Sequence, residues 1–129
     1  MKYLKKYKLL ENVDLEEQFL DACKNGILET AKKLLRKGVD PSVISNDAIR
    51  VAASNGHLEV VRLLLNDSRV DPSADDNCAI QWAAQNGHEK VVYLLLNHFK
   101  VYESLTKQER DKYAKGRMLY IDILKKLNR

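Results

Sequence analysis

The sequence has few of the residues that interrupt or reverse a chain. Its 129 residues include five glycines and two prolines. A strand-rich architecture of this size needs more turns than these residues supply, whereas stretches of leucine, lysine, glutamate and alanine favour helices. The composition therefore predicts an all-α protein, and the length suits one compact domain.

Long apolar segments are missing as well. No apolar run approaches the roughly 20 residues that cross a bilayer. The first residues place lysines between tyrosine and leucine, which breaks up any apolar block there. We therefore expect neither a membrane span nor a secretion signal.

Cysteine is also scarce. Cys23 and Cys78 are 55 positions apart, which fits neither a disulfide framework nor a metal-binding pair. The sequence lacks a glycine-rich phosphate loop, a Ser-His-Asp set and a pair of catalytic carboxylates. We expect two free thiols in an intracellular, cytoplasmic protein, with no enzymatic activity, cofactor or metal.

The net charge of +4 is unevenly distributed along the chain. Residues 1–10 carry four lysines and no acid, and residues 100–129 carry nine basic residues against four acidic ones. Residues 11–99 carry nine basic and fourteen acidic residues, so an acidic body lies between two basic ends. The basic ends make nucleic-acid binding the alternative function, although solvated helix faces explain them more simply.

A repeat with a period near 31 residues organises the chain. Asn-Gly occurs at 25–26, 55–56 and 86–87, and Val-Asp-Pro-Ser occurs at 39–42 and 70–73. Because two independent markers share one period, the chain consists of repeated structural units.

Each unit is predicted to form two short antiparallel helices. Apolar residues of the first helix recur at i, i+3 and i+4, which gives a narrow stripe of mostly small side chains. The stripe consists of Phe19, Ala22 and Cys23, then Ile49, Ala52 and Ala53, then Ile80, Ala83 and Ala84. The Asn-Gly pair then ends the helix, and the second helix carries large core residues such as Leu64 and Leu95.

Two longer motifs carry a resemblance to a known family. Ala-Ala-x-Asn-Gly-His occurs at 52–57 and 83–88, and Val-Val-x-Leu-Leu-Leu-Asn occurs at 60–66 and 91–97. They resemble the Gly-His loop and the leucine-rich second helix of the ankyrin repeat. The Thr-Pro-Leu-His tetrapeptide of that family is absent. The resemblance covers about residues 14–98.

The resemblance implies both a fold and a function. The fold would be an α-solenoid of three helix-turn-helix repeats with helical caps at both ends, and the function non-catalytic protein binding. Repeats of about 31 residues with short Asp-Pro-Ser tips look like those of large DNA viruses and amoebae. In a viral protein, the expected location becomes the cytoplasm or nucleus of the host cell.

We predict a single domain over residues 1–129, divided into caps and repeats. The N-terminal cap is 1–13, the repeats are 14–42, 43–73 and 74–104, and a degenerate C-terminal cap repeat is 105–129. Thr106-x-x-Glu109 and Asp14-x-x-Glu17 are capping boxes that open helices. Gly116 is predicted to end the first cap helix, and Met118, Ile121 and Leu124 to form a second one.

Histidine and cysteine are the remaining candidates for chemistry. His57 and His88 occupy equivalent places, and the resemblance implies a hydrogen bond that ties a loop, which we favour over a metal or catalytic role. Cys23 lies on the small-residue stripe and is predicted to be a packed thiol. Cys78 lies beside a helix N-terminus, but no base is placed to activate it.

The outward face of the first helices supplies the candidate binding strip. At 100° per residue from Ile49, the equivalent positions Asp21, Val51 and Trp82 point away from the core. The resemblance assigns partner binding to this concave face and to the hairpin tips. The candidate partner-binding residues are Arg50, Ser54, Asn55, Asp75, Asp76, Gln81, Trp82, Gln85 and Asn86. Trp82 is either a contact hot spot or a residue packed on the adjoining unit or on Tyr113.

The tips are rich in aspartate. Asp71, Asp75 and Asp76 gather at one tip, and Asp40 and Asp47 at the previous one. A negative surface beside the concave face favours a protein partner with a basic surface over nucleic acid. Acidic loops that only keep the surface hydrated are equally consistent with this pattern. We expect a monomer, with self-association through one end as a third alternative.

Overall fold

A computed structural model describes residues 15–114 of the chain. Its helices are α1 (15–25), α2 (Leu28–Arg36), α3 (Val43–Ser54), α4 (Leu58–Leu65), α5 (Ala74–Gln85), α6 (Glu89–Leu96), α7 (Phe99–Ser104) and α8 (107–114). Within this range no strand is formed, and no helix is long and apolar enough to cross a membrane. The predicted all-α solenoid fold is confirmed.

Some predictions concern residues beyond this range. Four of them lie outside the described residues: the N-terminal cap at 1–13, Asp14 of the first capping box, Gly116, and the second cap helix at Met118, Ile121 and Leu124. The Thr106 box lies inside it and is present. The Thr106 amide donates to Glu109 Oε1, and the Glu109 amide donates to Thr106 Oγ1, both at 3.2 Å.

The small-residue stripe forms the inner layer of the core. Its members are at most 2% exposed except for one: Phe19, Ala22, Cys23, Ile49, Ala52, Ala53, Ile80 and Ala83. The exception is Ala84, which is exposed although the pattern predicted burial. The second helices close the core from the other side, with Leu64 and Leu95 both fully buried.

The glycine loops join the two helices of each repeat, and each contacts the loop of its neighbour. Gly26, Gly56 and Gly87 have φ between +72° and +76°, the left-handed conformation that ends each first helix. The His57 ring lies over Gly26, and its Nε2 donates a 2.8 Å hydrogen bond to the carbonyl of Lys24. The expected loop hydrogen bond therefore ties the His57 loop to the repeat before it. The His88 ring lies over Gly56 in the same way.

Hydrogen-bonded turns form at both Asp-Pro-Ser tips. Asp71 Oδ1 accepts hydrogen bonds from the Ser73 amide at 3.0 Å and the Ser73 hydroxyl at 2.6 Å, and Asp40 accepts equivalent bonds from Ser42. These bonds stabilise the ionised carboxylates. The side-chain bond from Ser73 is the main reason that the pKa of Asp71 lies below its ordinary value.

Each tip continues into three residues with left-handed backbone. Ile44, Ser45 and Asn46 have φ of 54°, 52° and 62°, and residues 75–77 have nearly the same values. This conformation costs roughly 1–2 kcal/mol for a residue other than glycine, and somewhat less for Asn and Asp. A bond between the tips offsets part of the cost, because Asn46 Oδ1 accepts a 2.8 Å bond from the Asp71 amide.

Alanine substitution of two glycines tests the histidine packing. Gly56 and Gly87 have φ of +74° and +76°, so both alanines strain the backbone equally. A Cβ at Gly56 would also overlap the His88 ring, whereas a Cβ at Gly87 meets no atom of residues 15–114 within 4 Å. We expect Gly56→Ala to lower the unfolding free energy by about 2 kcal/mol more than Gly87→Ala in urea titrations. Equal losses would refute this packing constraint.

Removal of the Ser73 hydroxyl tests the Asp-Pro-Ser turn. Because the folded pKa of Asp71 lies below its ordinary 3.8, the turn stabilises the fold above about pH 4, and this stabilisation is lost as the pH falls through the folded pKa. We expect Ser73→Ala to cost roughly 0.5–1 kcal/mol at neutral pH and less at about pH 2.5, measured by urea unfolding. Ser68→Ala, at an exposed loop serine, is the control. A cost independent of pH would contradict this role.

The two thiols are expected to differ sharply in reactivity. Cys23 is fully buried, and burial raises the pKa of its thiol to about 12, whereas Cys78 is only half-buried. In the native protein at about pH 8, we expect Ellman's reagent to titrate Cys78 rapidly and Cys23 only after unfolding. Cys78→Ser should remove the fast phase. A fast phase that survives this substitution would show that Cys23 is accessible.

Candidate functional site

An ion-pair bridge between neighbouring tips occupies two of the predicted binding residues. Arg50 Nη1 lies 2.9 Å from Asp75 Oδ2, and Arg50 Nη2 lies 3.2 Å from Asp47 Oδ1. The Arg50 side chain is 19% exposed and that of Asp75 52% exposed. Arg50 therefore serves chiefly to join α3 to the next tip, whereas the carboxylate of Asp75 stays partly accessible to solvent.

Hydrogen bonds within the fold hold four more residues of the strip. Asn86 Nδ2 donates to the carbonyl and hydroxyl oxygens of Ser54, at 2.8 and 3.1 Å, and so joins α5 to α3. Asn55 Nδ2 donates to the Val51 carbonyl at 2.8 Å, which closes the end of α3. Gln81 Nε2 donates to the Asp76 carbonyl at 2.7 Å. These amides fix the strip in one conformation.

Trp82, Asp76 and Gln85 remain the accessible members of the strip. Trp82 is 44% exposed, and both polar side chains are exposed. Within residues 15–114, no hydrogen bond or ion pair engages these three side chains. Tyr113, the neighbour on which Trp82 could have packed, is itself buried at 8% exposure. The outward position predicted for Trp82 leaves a large part of its indole accessible to solvent.

The tips carry more carboxylates than cations. Their acids are Asp40, Asp47, Asp67, Asp71, Asp75 and Asp76. Arg50 is committed to two of them, and Arg69 forms a 2.8 Å ion pair with Asp67. Lys100 also lies near enough to Asp71 to contribute to its lowered pKa, after the Ser73 bonds. The tip surface therefore stays negative after its internal ion pairs are formed.

A cleft between α5 and α8 was not predicted from the sequence. Its volume is about 330 Å³, and it is lined by Gln81, Ala84, Gln85, Glu109, Lys112 and Tyr113. Beside the cleft, α8 begins 29 residues after the right-handed part of α5, two fewer than the period of the repeat. Ala84 is exposed here, whereas the equivalent Ala53 is buried. The shortened spacing was the feature of the sequence that marked this departure from the repeat.

The lining of the cleft is mixed. Ala84 and the buried Tyr113 ring contribute apolar surface, while Gln81, Gln85, Glu109 and Lys112 contribute polar groups. Burial raises the pKa of Tyr113, and the negative charge of Glu109 raises it further. Tyr113 is therefore a neutral wall of the cleft at physiological pH.

The structure gives the other candidate residues structural roles or no partner. His57 is bonded to the preceding repeat, and the His88 ring packs on Gly56. Cys23 is buried in the core, and Cys78 is a free, half-buried thiol. Within the described range, no three His, Cys, Asp or Glu side chains are grouped so that they could hold a metal ion.

Comparisons with known proteins agree with this architecture. A family model of ankyrin repeats in three copies matches residues 19–106. An ankyrin repeat protein of Acanthamoeba polyphaga mimivirus is 33% identical, over 48% of this chain and 12% of its own length. The ankyrin repeat and KH domain-containing protein mask-1 of Caenorhabditis elegans is 39% identical, over 37% of this chain and 2% of its own length.

This chain therefore spans only a small part of the curated relatives it matches. No solved structure gives a significant match. Because the family model covers more than half of the sequence, in the region where the helix pairs stack, the chain belongs to the ankyrin-repeat family.

Proposed function

We propose that this domain binds a partner protein, without catalysis, through the strip on its concave face and through its acidic tips. Ankyrin repeats are generally protein–protein interaction modules. The observation that carries the proposal is Trp82, the single tryptophan of the chain, held half-exposed on α5 beside accessible polar side chains. A rigid aromatic side chain amid polar groups is typical of interface hot spots.

The charge of the surface supports a basic partner. Carboxylates exceed cations at the tips, and Asp76 is exposed with no ion pair inside the described range. A partner with a basic surface would gain attraction and faster association from this field, whereas nucleic acid would be repelled by it. The free thiols are consistent with an intracellular location, which we include in the proposal.

Substitution of Trp82 tests the strip directly. Affinity capture with the full chain should yield a partner, which is then purified and measured by calorimetry. We expect Trp82→Ala to weaken binding by about 2 kcal/mol or more, as hot-spot truncations do. Tyr102→Ala, which removes an equally exposed aromatic side chain from α7, is the control and should leave the affinity unchanged. Equal losses in both variants would refute the assignment of the strip.

Charge reversal at Asp76 tests the tips. We expect Asp76→Lys to slow association and weaken binding, with an effect that shrinks as salt screens the interaction. Glu103→Lys, at an exposed carboxylate of α7, is the matched control. Asp75 is unsuitable for this test because its loss would also break the Arg50 bridge. If Asp76→Lys leaves the affinity unchanged at low salt, the partner does not use the acidic tip.

A further inference from the structure

We propose that the partner anchors on this domain by inserting an arginine side chain into the cleft between α5 and α8. The inference rests on the proposed function and names the group that is recognised. A volume of about 330 Å³ accommodates one long side chain, not a folded segment. Gln81 and Gln85 belong both to the strip and to the lining of the cleft, so a partner lying along the strip is adjacent to the cleft.

Two side chains that line the cleft keep a hydrogen-bond acceptor that no hydrogen bond among the described residues uses. Because Gln81 Nε2 donates to the Asp76 carbonyl, the amide orientation is fixed and Gln81 Oε1 is left as an acceptor. Glu109 Oε1 accepts the Thr106 amide, and no hydrogen bond among residues 15–114 uses Glu109 Oε2. A group that only donates hydrogen bonds suits these two acceptors, and arginine carries five N–H donors and no acceptor.

The apolar part of the cleft discriminates between arginine and lysine. Ala84 and Tyr113 offer apolar surface for an aliphatic stem and an aromatic ring for a planar guanidinium. The chain contains one such pairing already, since the guanidinium carbon of Arg110 lies 4.6 Å from the centre of the Tyr102 ring. The compact ammonium of lysine would leave the ring and part of the acceptor set unused.

Two charged side chains line the cleft, and they act on an arginine in opposite directions. The excess positive charge of the chain lies towards its two ends, in residues 1–10 and 100–129. Among residues lining the cleft, Glu109 favours a cation and Lys112 opposes it. Removal of the Glu109 charge should therefore weaken binding of the arginine, and removal of the Lys112 charge should strengthen it. The opposite directions of these two changes test the proposal.

A capped Gly-Gly-Arg-Gly-Gly peptide is the probe, titrated into the full chain. Because Trp82 is the only tryptophan, its indole N–H gives a single NMR signal one residue from Gln81. We expect the arginine peptide to shift this signal and the side-chain amide signals of Gln81 and Gln85. The lysine peptide should bind at least about threefold more weakly, and the uncharged citrulline peptide should give no saturable shift.

Variants of the two cleft charges supply the matched test. Glu109→Gln keeps an acceptor for the Thr106 amide and so preserves the helix start. We expect it to weaken binding of the arginine peptide about fivefold, and Lys112→Gln to strengthen it about threefold. Glu103→Gln, the same change at an exposed site on α7, should have no effect.

Three results would overturn the proposal. These are equal affinities for the arginine and citrulline peptides, insensitivity to both cleft variants, or shifts confined to the tip residues 75–76. Any of them would leave the proposed function standing if Trp82→Ala still weakens binding of the purified partner. Failure of the Trp82 test would refute the proposed function on independent grounds.

Discussion

The fold depends on the burial of each small-residue stripe by the helix pair that follows it. A single pair cannot cover its own stripe, so the stability of each repeat comes mainly from its neighbour. Ala52 and Ala53 are fully buried because α5 packs directly on α3. Small side chains allow this close approach, and the leucines of the second helices fill the remaining space. The same dependence makes the last stripe vulnerable wherever the next unit departs from the period.

Polar contacts between repeats fix their register relative to one another, which apolar packing alone does not define. Successive repeats are joined at the loop by His57, at the tip by Asn46, beside the tip by Arg50 and at the helix end by Asn86. Each link reaches one repeat along the chain. A slip between the second and third repeats would break the Asn46, Arg50 and Asn86 links together, and a slip between the first and second would break the His57 link. Several residues of the candidate strip thus position the surface, while Trp82 and Asp76 stay accessible on it.

Periodicity made the helices and most of the core predictable from the sequence. The motifs around Asn-Gly locate each helix end, and the i, i+3, i+4 pattern identifies the buried residues up to Ala83. Ala84 was predicted to be buried because it repeats the place of Ala53, but the unit that follows it is a degenerate cap repeat and leaves it exposed. The pairing of Arg50 with Asp75 was not predictable either, because it depends on the left-handed tip. Local propensity opposes that conformation at Ile44, a β-branched residue, so tertiary contacts impose it.

The open surface over Gly87 has a consequence for modular engineering. Histidine rings cover Gly26 and Gly56, but among residues 15–114 no atom lies within 4 Å of the position that a Cβ would take at Gly87. A consensus repeat grafted in place of the cap, with its Gly-His loop at the full 31-residue period, would set its histidine over this glycine. Because α8 already lies beside α5, extension of the array in this direction requires replacement of that helix.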